Sequence, residues 1–202
     1  MKIGIIGAGH IGGNLTRRLT ALGHDVSVAN SRGPETLKEL AEETGATPVR
    51  AEEAARGAEI VVVTVPLKAV PDLPSGLLDG AAEDVAVIDT GNYYPQRDGR
   101  IAGIEDEGLT ESRWTERQIG HPVIKAFNGT YAHDLIDRAR PEGPRQPPDE
   151  TVPVPRGACS CMIGIRTVTT HRPDLYTAAY TATFTAYATW TEMRRPVVKR
   201  NG

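Results

Sequence analysis

Met1-Lys-Ile-Gly-Ile-Ile-Gly7-Ala-Gly9-His-Ile-Gly12 opens the chain and decides its fold. The stretch combines a short apolar strand, a turn with the glycine pattern G-x-G-x-x-G, and the start of a helix. In such a turn Gly7 permits the sharp bend, Gly9 lets a pyrophosphate approach bare backbone, and Gly12 lets the helix pack close to the strand. The pattern predicts a dinucleotide-binding turn whose helix N-terminus faces the pyrophosphate.

Composition narrows the class of protein. The 202 residues fit one domain with a small appendage, and the net charge of −3 argues against a nucleic-acid or membrane-surface partner. Cys159 and Cys161 are too few for a disulfide framework or a four-cysteine metal site, so no metal is expected. No apolar run has membrane-spanning length, and the chain begins directly in its first strand without a secretory leader. We therefore expect a cytoplasmic protein.

Strands and helices alternate after the glycine turn. The predicted strands cover residues 2–6, 24–30, 45–49, 59–65, 84–89 and 122–127, and the predicted helices cover 11–22, 34–44, 51–56 and 109–118. Residues 60–63 are all β-branched, as is typical of a parallel strand buried on both faces. This succession predicts an α/β fold with a doubly wound parallel sheet, the Rossmann NAD(P)-binding fold.

The end of the second strand favours NADP over NAD. An NAD site places a carboxylate there for the ribose 2′-hydroxyl, whereas this chain has Asn30, Ser31 and Arg32. A hydroxyl and a guanidinium hold a 2′-phosphate through charge-assisted hydrogen bonds, and a carboxylate would repel it. The alternative is that Ser31 only caps a helix and Arg32 is only solvated.

Ligands of such a sheet lie beyond the carboxyl ends of its strands, which points to three more segments. Thr64, Val65 and Pro66 would line the nicotinamide side. Thr90, Asn92 and Tyr93 offer hydrogen bonds or a flat face to a second ligand, and Asn128 is similarly placed. A turn or strand cap explains each of these polar residues equally well.

The chain lacks an evident acid, base or nucleophile, and we predict no catalytic residue. His10 lies in the glycine turn, where pyrophosphate contact is favoured over acid catalysis. His121 and His133 flank the sixth strand but are not favoured as acids, and Lys125 is expected to extend its stem to the surface. Hydride transfer between two cofactors mainly requires that their rings be held face to face, so a site without an acid or base is compatible with this reaction.

With these motifs placed, the chain resembles the NADPH-dependent reductases of the deazaflavin coenzyme F420. The matching stretches lie within about residues 1–140; they are residues 1–13, Asn30-Ser-Arg-Gly-Pro-Glu, Val63-Thr-Val-Pro, Asp89-Thr-Gly-Asn-Tyr-Tyr-Pro and Lys125-Ala-Phe-Asn. The resemblance implies hydride transfer between NADP(H) and coenzyme F420 as co-substrate, in a homodimer. It also implies that His10 and Ile11 touch the pyrophosphate, Ser31 and Arg32 the 2′-phosphate, and Val65 and Pro66 the nicotinamide half.

The last third departs from this family. Residues 1–150 hold 16 basic and 24 acidic residues, whereas residues 151–202 hold 7 and 2, so the net charge inverts from −8 to +5. Residues 141–155 carry six of the 15 prolines and predict an extended linker. We therefore divide the chain into an NADP-binding domain, residues 1–140, and an atypical tail, residues 141–202. A reading-frame change near residue 145 is our hypothesis for its origin.

Three functions remain open at this point. The first is hydride transfer between NADPH and coenzyme F420. The second is NADPH-dependent reduction of a small carbonyl or imine substrate, which would need a proton donor near residues 92–94 or His121. The third is a redox sensor that binds NADP without turnover.

Overall fold

The structure is a computed structural model that describes residues 1–137. Six strands are present: β1 (Lys2–Ile6), β2 (Asp25–Ala29), β3 (Thr47–Pro48), β4 (Ile60–Val63), β5 (Ala86–Asp89) and β6 (Val123–Lys125). Seven α-helices accompany them in this part of the chain: α1 (His10–Ala21), α2 (Lys38–Thr44), α3 (Ala51–Ala54), α4 (Pro95–Asp98), α5 (Ala102–Glu105), α6 (Glu111–Ile119) and α7 (Asp134–Asp137). Two 3-10 helices, Pro34–Leu37 and Leu67–Asp72, complete the elements.

The six strands form one parallel sheet in the order β3-β2-β1-β4-β5-β6. Ile3 of β1 pairs with Val26 of β2 on one side and with Ile60 of β4 on the other. The chain therefore winds outward in both directions from β1, which confirms the predicted doubly wound Rossmann sheet. The strand order reverses between β1 and β4, so the ligand cleft of this fold lies at their carboxyl ends.

Both faces of the sheet are buried. Ile5 and Val62 face the cluster that holds Leu15 and Leu19 of α1. Ile6 belongs to the cluster on the opposite face, together with Ala54 and Ala55 of the α3 region. The β-branched strand β4 is completely buried, as its composition predicted, because it receives side chains from both layers. This packing fixes β1 and β4, and with them the position of the glycine turn.

Five of the six observed strands are shorter than predicted, and several short helices were not predicted. The strand predicted over residues 59–65 ends at Val63, so Thr64 and Val65 belong to the loop. The 3-10 helix Leu67–Asp72 and the four-residue helices α4, α5 and α7 carry too few residues for a periodic pattern to show. The loops beyond β4 and β5 are consequently more structured than the sequence indicated.

The predicted linker and tail lie outside the described residues, together with Cys159, Cys161 and the proposed frame change. The domain boundary at residue 140 therefore stays a prediction, as do the cytoplasmic location and the homodimer. Among residues 1–137, no helix has both the length and the apolar character to cross a membrane.

Candidate nucleotide-binding site

The glycine turn after β1 accepts no side chain at its first position. Gly7 has a φ of 105°, in the region that favours glycine. A Cβ atom there would lie 2.3 Å from the carbonyl oxygen of Thr64. The amide of Gly7 donates to the carbonyl of Ala29 at 2.9 Å, which ties the turn to the end of β2. The turn therefore sits between the ends of β1, β2 and β4.

The other two glycines differ in their surroundings. A Cβ atom on Gly12 would lie 1.8 Å from the carbonyl oxygen of Gly7 and 2.7 Å from the methyl carbon of Thr64. A Cβ atom on Gly9 would meet no atom within 4 Å. Gly12 thus lets α1 pack onto the turn, whereas the open side of Gly9 leaves backbone accessible to a ligand.

The N-terminus of α1 fits an anionic group. Gly9 is its N-cap and supplies no side-chain cap, and the first turn contains no acidic residue. The first amides of a helix have no partner within the helix, so they can donate to a phosphate. His10 is exposed, and Ile11 is half-buried against the core. These features fit the pyrophosphate of a dinucleotide at this position.

The loop after β2 is held by Asn30. Its Oδ1 accepts from the amide of Arg32 at 2.9 Å, and its Nδ2 donates to Oγ1 of Thr36 at 2.9 Å. The Thr36 hydroxyl donates in turn to the carbonyl of Gly33 at 2.8 Å. Both polar groups of the Asn30 side chain therefore form hydrogen bonds within the loop. Asn30 stabilises the loop, a role that the sequence did not indicate.

Ser31 and Arg32 project from this loop. Both are exposed, and Arg32 forms no ion pair with residues 1–137. Their loop follows β2, whose last residue, Ala29, is bonded to Gly7 of the glycine turn. The loop that carries the hydroxyl and the guanidinium therefore begins beside the glycine turn, and contact of these two groups with a 2′-phosphate stays a prediction.

The segment after β4 closes the turn from the other side. Thr64 contacts the positions of both Gly7 and Gly12, as the distances above show. Val65 is half-buried against two apolar clusters, and Pro66 is exposed. The three residues thus occupy the cleft edge to which the sequence assigned them, and their contact with a cofactor stays a prediction.

The segment after β5 is internally bonded. Thr90 is buried, and its amide donates to the carbonyl of Val63 at 3.1 Å. Asn92 donates from Nδ2 to the carbonyl of Asn128 at 2.6 Å, which joins the loops that follow β5 and β6. The hydroxyl of Tyr93 contacts the Glu105 carboxylate, and this hydrogen bond raises the pKa of Tyr93. These residues are placed as the sequence predicted, at the carboxyl edge of the sheet.

Sequence reasoning missed a group of paired charges at this edge. The ammonium of Lys125 lies 3.0 Å from Oδ2 of Asp89 and 3.0 Å from Oε2 of Glu111. The Lys125 side chain is 18% exposed, and its ammonium is paired with these two carboxylates, which the sequence did not indicate. Asp89 and Lys125 end adjacent strands in register, a pairing that only the strand order reveals.

The two histidines near β6 have separate environments. Nδ1 of His121 lies 2.8 Å from the carbonyl oxygen of Pro122. His133 is exposed and stacks on Tyr131 with 5.6 Å between ring centroids.

Within residues 1–137 no cluster of histidine, cysteine, aspartate and glutamate side chains is arranged to hold a metal ion.

A family comparison agrees with this geometry. Residues 2–93 match the family described as coenzyme F420-dependent NADP oxidoreductases. The resemblance found in the sequence is confirmed over these residues, which include the glycine turn, the loop after β2 and the segment after β4. The match identifies the chain as an NAD(P)-dependent oxidoreductase. No curated protein sequence matches the chain.

Two solved structures support the fold. A hypothetical protein from Sinorhizobium meliloti is 28% identical with a TM-score of 0.57, over 69% of this chain and 67% of that one. A protein from Arthrobacter sp. FB24, described as a candidate F420-dependent NADP reductase, is 21% identical with a TM-score of 0.56, over 71% of this chain and 69% of that one. 3-Hydroxyisobutyrate dehydrogenase from Mycobacterium tuberculosis is 18% identical with a TM-score of 0.46. The alignment covers 62% of this chain and only 39% of that longer one.

Proposed function

We propose that the protein transfers a hydride between NADPH and the deazaflavin coenzyme F420. The observation that carries this proposal is the match of residues 2–93 to the F420-dependent family, on a turn whose geometry accepts a pyrophosphate. NADPH supplies the hydride when it is bound. The chain's part is to hold the dinucleotide along the ends of β2, β1 and β4, and to leave the ends of β5 and β6 for the second ring.

The choice of NADPH over NADH rests on the loop after β2. Arg32 is an exposed guanidinium without an ion pair among the described residues, and Ser31 offers a hydroxyl beside it. Asn30 and Thr36 fix the loop through three hydrogen bonds before any ligand arrives. A preformed loop lowers the entropy cost of binding, so these bonds favour a defined phosphate position.

The function is tested by mixing oxidised F420 with NADPH and following the deazaflavin absorbance. We expect the absorbance to bleach with NADPH and to bleach far more slowly with NADH. Flavin mononucleotide replaces F420 as the control acceptor. NADPH binding by calorimetry without bleaching of F420 would contradict the proposal and leave a different substrate or a redox sensor.

Replacing Arg32 tests the assignment to NADP. We expect Arg32→Gln to raise the NADPH dissociation constant by roughly 30-fold, because one charge-assisted contact to the 2′-phosphate contributes about 2 kcal/mol. The NADH dissociation constant should change less than about twofold. Calorimetric titration with both cofactors measures the ratio.

The matched control for Arg32 is Lys38→Gln. Lys38 is an exposed cation in α2 whose nearest carboxylate, that of Glu42, is 3.8 Å away. Lys38→Gln also removes one positive charge, a short distance along the chain from Arg32. It should leave the dissociation constants of NADPH and NADH unchanged. An equal loss in the two variants would mean that general charge, rather than Arg32, attracts the cofactor.

A second candidate function is reduction of a small carbonyl or imine substrate. The observation that favours it is the Lys125 ammonium, which is bonded to Glu111 beside the segment of residues 92–94. That segment is where this function needs a proton donor. NADPH oxidation by small carbonyl compounds in the absence of F420 would favour this function over the first.

A further inference from the structure

Three charged side chains form an ion cluster at the carboxyl edge of the sheet: Asp89, Lys125 and Glu111. Asp89 ends β5, Lys125 ends β6, and Glu111 is the first residue of α6. Lys125 bridges the two carboxylates with 3.0 Å to each. The exposed fractions of the side chains are 3% for Asp89 and 18% for Lys125, so the pair is weakly screened by solvent.

The free oxygens of the two carboxylates bind one short stretch of backbone. Oδ1 of Asp89 accepts from the amide of Gly91 at 2.8 Å. Oε1 of Glu111 accepts from the amide of Tyr93 at 2.9 Å. The residue between these two amides is Asn92. The ion cluster therefore fixes the backbone on either side of Asn92.

The side chain of Asn92 is oriented by the same arrangement. Its Nδ2 donates to the carbonyl of Asn128 at 2.6 Å, and since a carbonyl only accepts, the amide nitrogen must face it. The carbonyl of Asn92 accepts from Nη2 of Arg97 at 2.6 Å. Oδ1 of Asn92 has no partner among residues 1–137 and remains an acceptor for a ligand N–H.

The strand order assigns this loop to the second ligand. The glycine turn and the loop after β2 lie at the ends of β1 and β2, whereas the ion cluster lies at the ends of β5 and β6, on the other side of β4. The phosphates and adenosine of a dinucleotide belong to the first group of strands. The loop that holds Asn92 is thus available to the ring that accepts the hydride.

We propose that Lys125 and Glu111 are positioning residues that hold Asn92 in place for the hydride acceptor. The inference rests on the proposed function and adds residues to it. Lys125 acts by cancelling the repulsion between Asp89 and Glu111, and Glu111 acts by binding the Tyr93 amide. Neither residue is required to touch the substrate.

Hydrogen exchange at single amides tests the loop without any ligand. Glu111→Ala removes the acceptor of the Tyr93 amide, and we expect that amide to exchange about 10-fold faster, which corresponds to about 1.4 kcal/mol and lies within the range that one hydrogen bond contributes. Glu111→Gln keeps an oxygen acceptor, so the Tyr93 amide should exchange more slowly in this variant than in Glu111→Ala. Unchanged exchange in Glu111→Ala would overturn the proposal, whatever the activity.

Kinetics with F420 as the acceptor test the consequence. We expect Glu111→Ala and Lys125→Gln to raise the KM for F420 about 10-fold, a loss of one positioning contact, with the NADPH dissociation constant within twofold of wild type. Lys125→Arg keeps the charge and should restore most of the loss. Faster exchange with an unchanged KM would overturn the positioning role.

Glu116→Gln is the matched control, because Glu116 lies on the same helix and pairs with Arg113, outside the ion cluster. It should alter neither the exchange nor the KM. Absence of turnover in the wild-type protein, together with faster exchange in Glu111→Ala, would refute the proposed function and the role toward F420. The loop-holding part of the proposal would then stand by itself.

Discussion

Gly12→Ala is expected to destabilise the protein by roughly 3 kcal/mol, the upper end of what overpacking costs. The added methyl group would lie 1.8 Å from the carbonyl oxygen of Gly7 and 2.7 Å from the Thr64 methyl carbon. Neither neighbour is a flexible side-chain end, so α1 must move away from the turn. Urea unfolding followed by circular dichroism measures the change, and NADPH binding should be lost with it.

Gly13→Ala is the matched control, one residue further along the same helix. The atom nearest to its added methyl group is Nη1 of Arg17 at 3.4 Å, the end of a flexible side chain. Alanine is favoured over glycine in a helix by about 1 kcal/mol, so this variant should be slightly more stable than wild type. Equal destabilisation by the two substitutions would contradict the account of close packing at Gly12.

The sequence predicted the parts of this fold that depend on local pattern. All six strands lie within the predicted ranges, and the doubly wound parallel sheet is confirmed. Strand β4 illustrates why: four consecutive β-branched residues are typical of a parallel strand buried on both faces. The glycine turn likewise follows from a short motif, although the atoms that enclose Gly7 belong to Thr64 and Val65, in the loop after β4.

The missed features depend on residues far apart in the chain. Lys125 contacts Asp89, 36 residues away, and this contact exists only because β5 and β6 are adjacent in the sheet. From the sequence, Lys125 was merely an unusual residue in an apolar strand. Asn30 is a different case, because its partners Arg32 and Thr36 are near in the chain. It was predicted to bind the cofactor, and its bonds within the loop depend on a backbone path that the sequence did not indicate.

Gly9→Ala is expected to lower NADPH affinity roughly 100-fold, about 2.7 kcal/mol, while leaving the fold intact. Gly9 has φ −77° and ψ −161°, a conformation that alanine adopts readily, and no atom lies within 4 Å of the added methyl group. The unfolding free energy of the Gly9→Ala variant should therefore stay within about 0.5 kcal/mol of that of the wild type. The methyl group occupies the space through which the pyrophosphate approaches the backbone. Calorimetric titration with NADPH and urea unfolding measure the two quantities.

Gly9→Ala and Gly12→Ala together separate binding from folding at one turn. Gly9 has open surroundings, so its substitution should weaken only cofactor binding, whereas Gly12 is enclosed, so its substitution should also lower the unfolding free energy. Gly13→Ala should retain both properties, because its added methyl group approaches the turn no closer than 3.9 Å, at the carbonyl oxygen of Ala8. If Gly9→Ala bound NADPH as wild type does, the pyrophosphate would not lie against this backbone. The assignment of Ser31 and Arg32 to the 2′-phosphate would then fall too, because it depends on a dinucleotide that lies along the ends of β1 and β2.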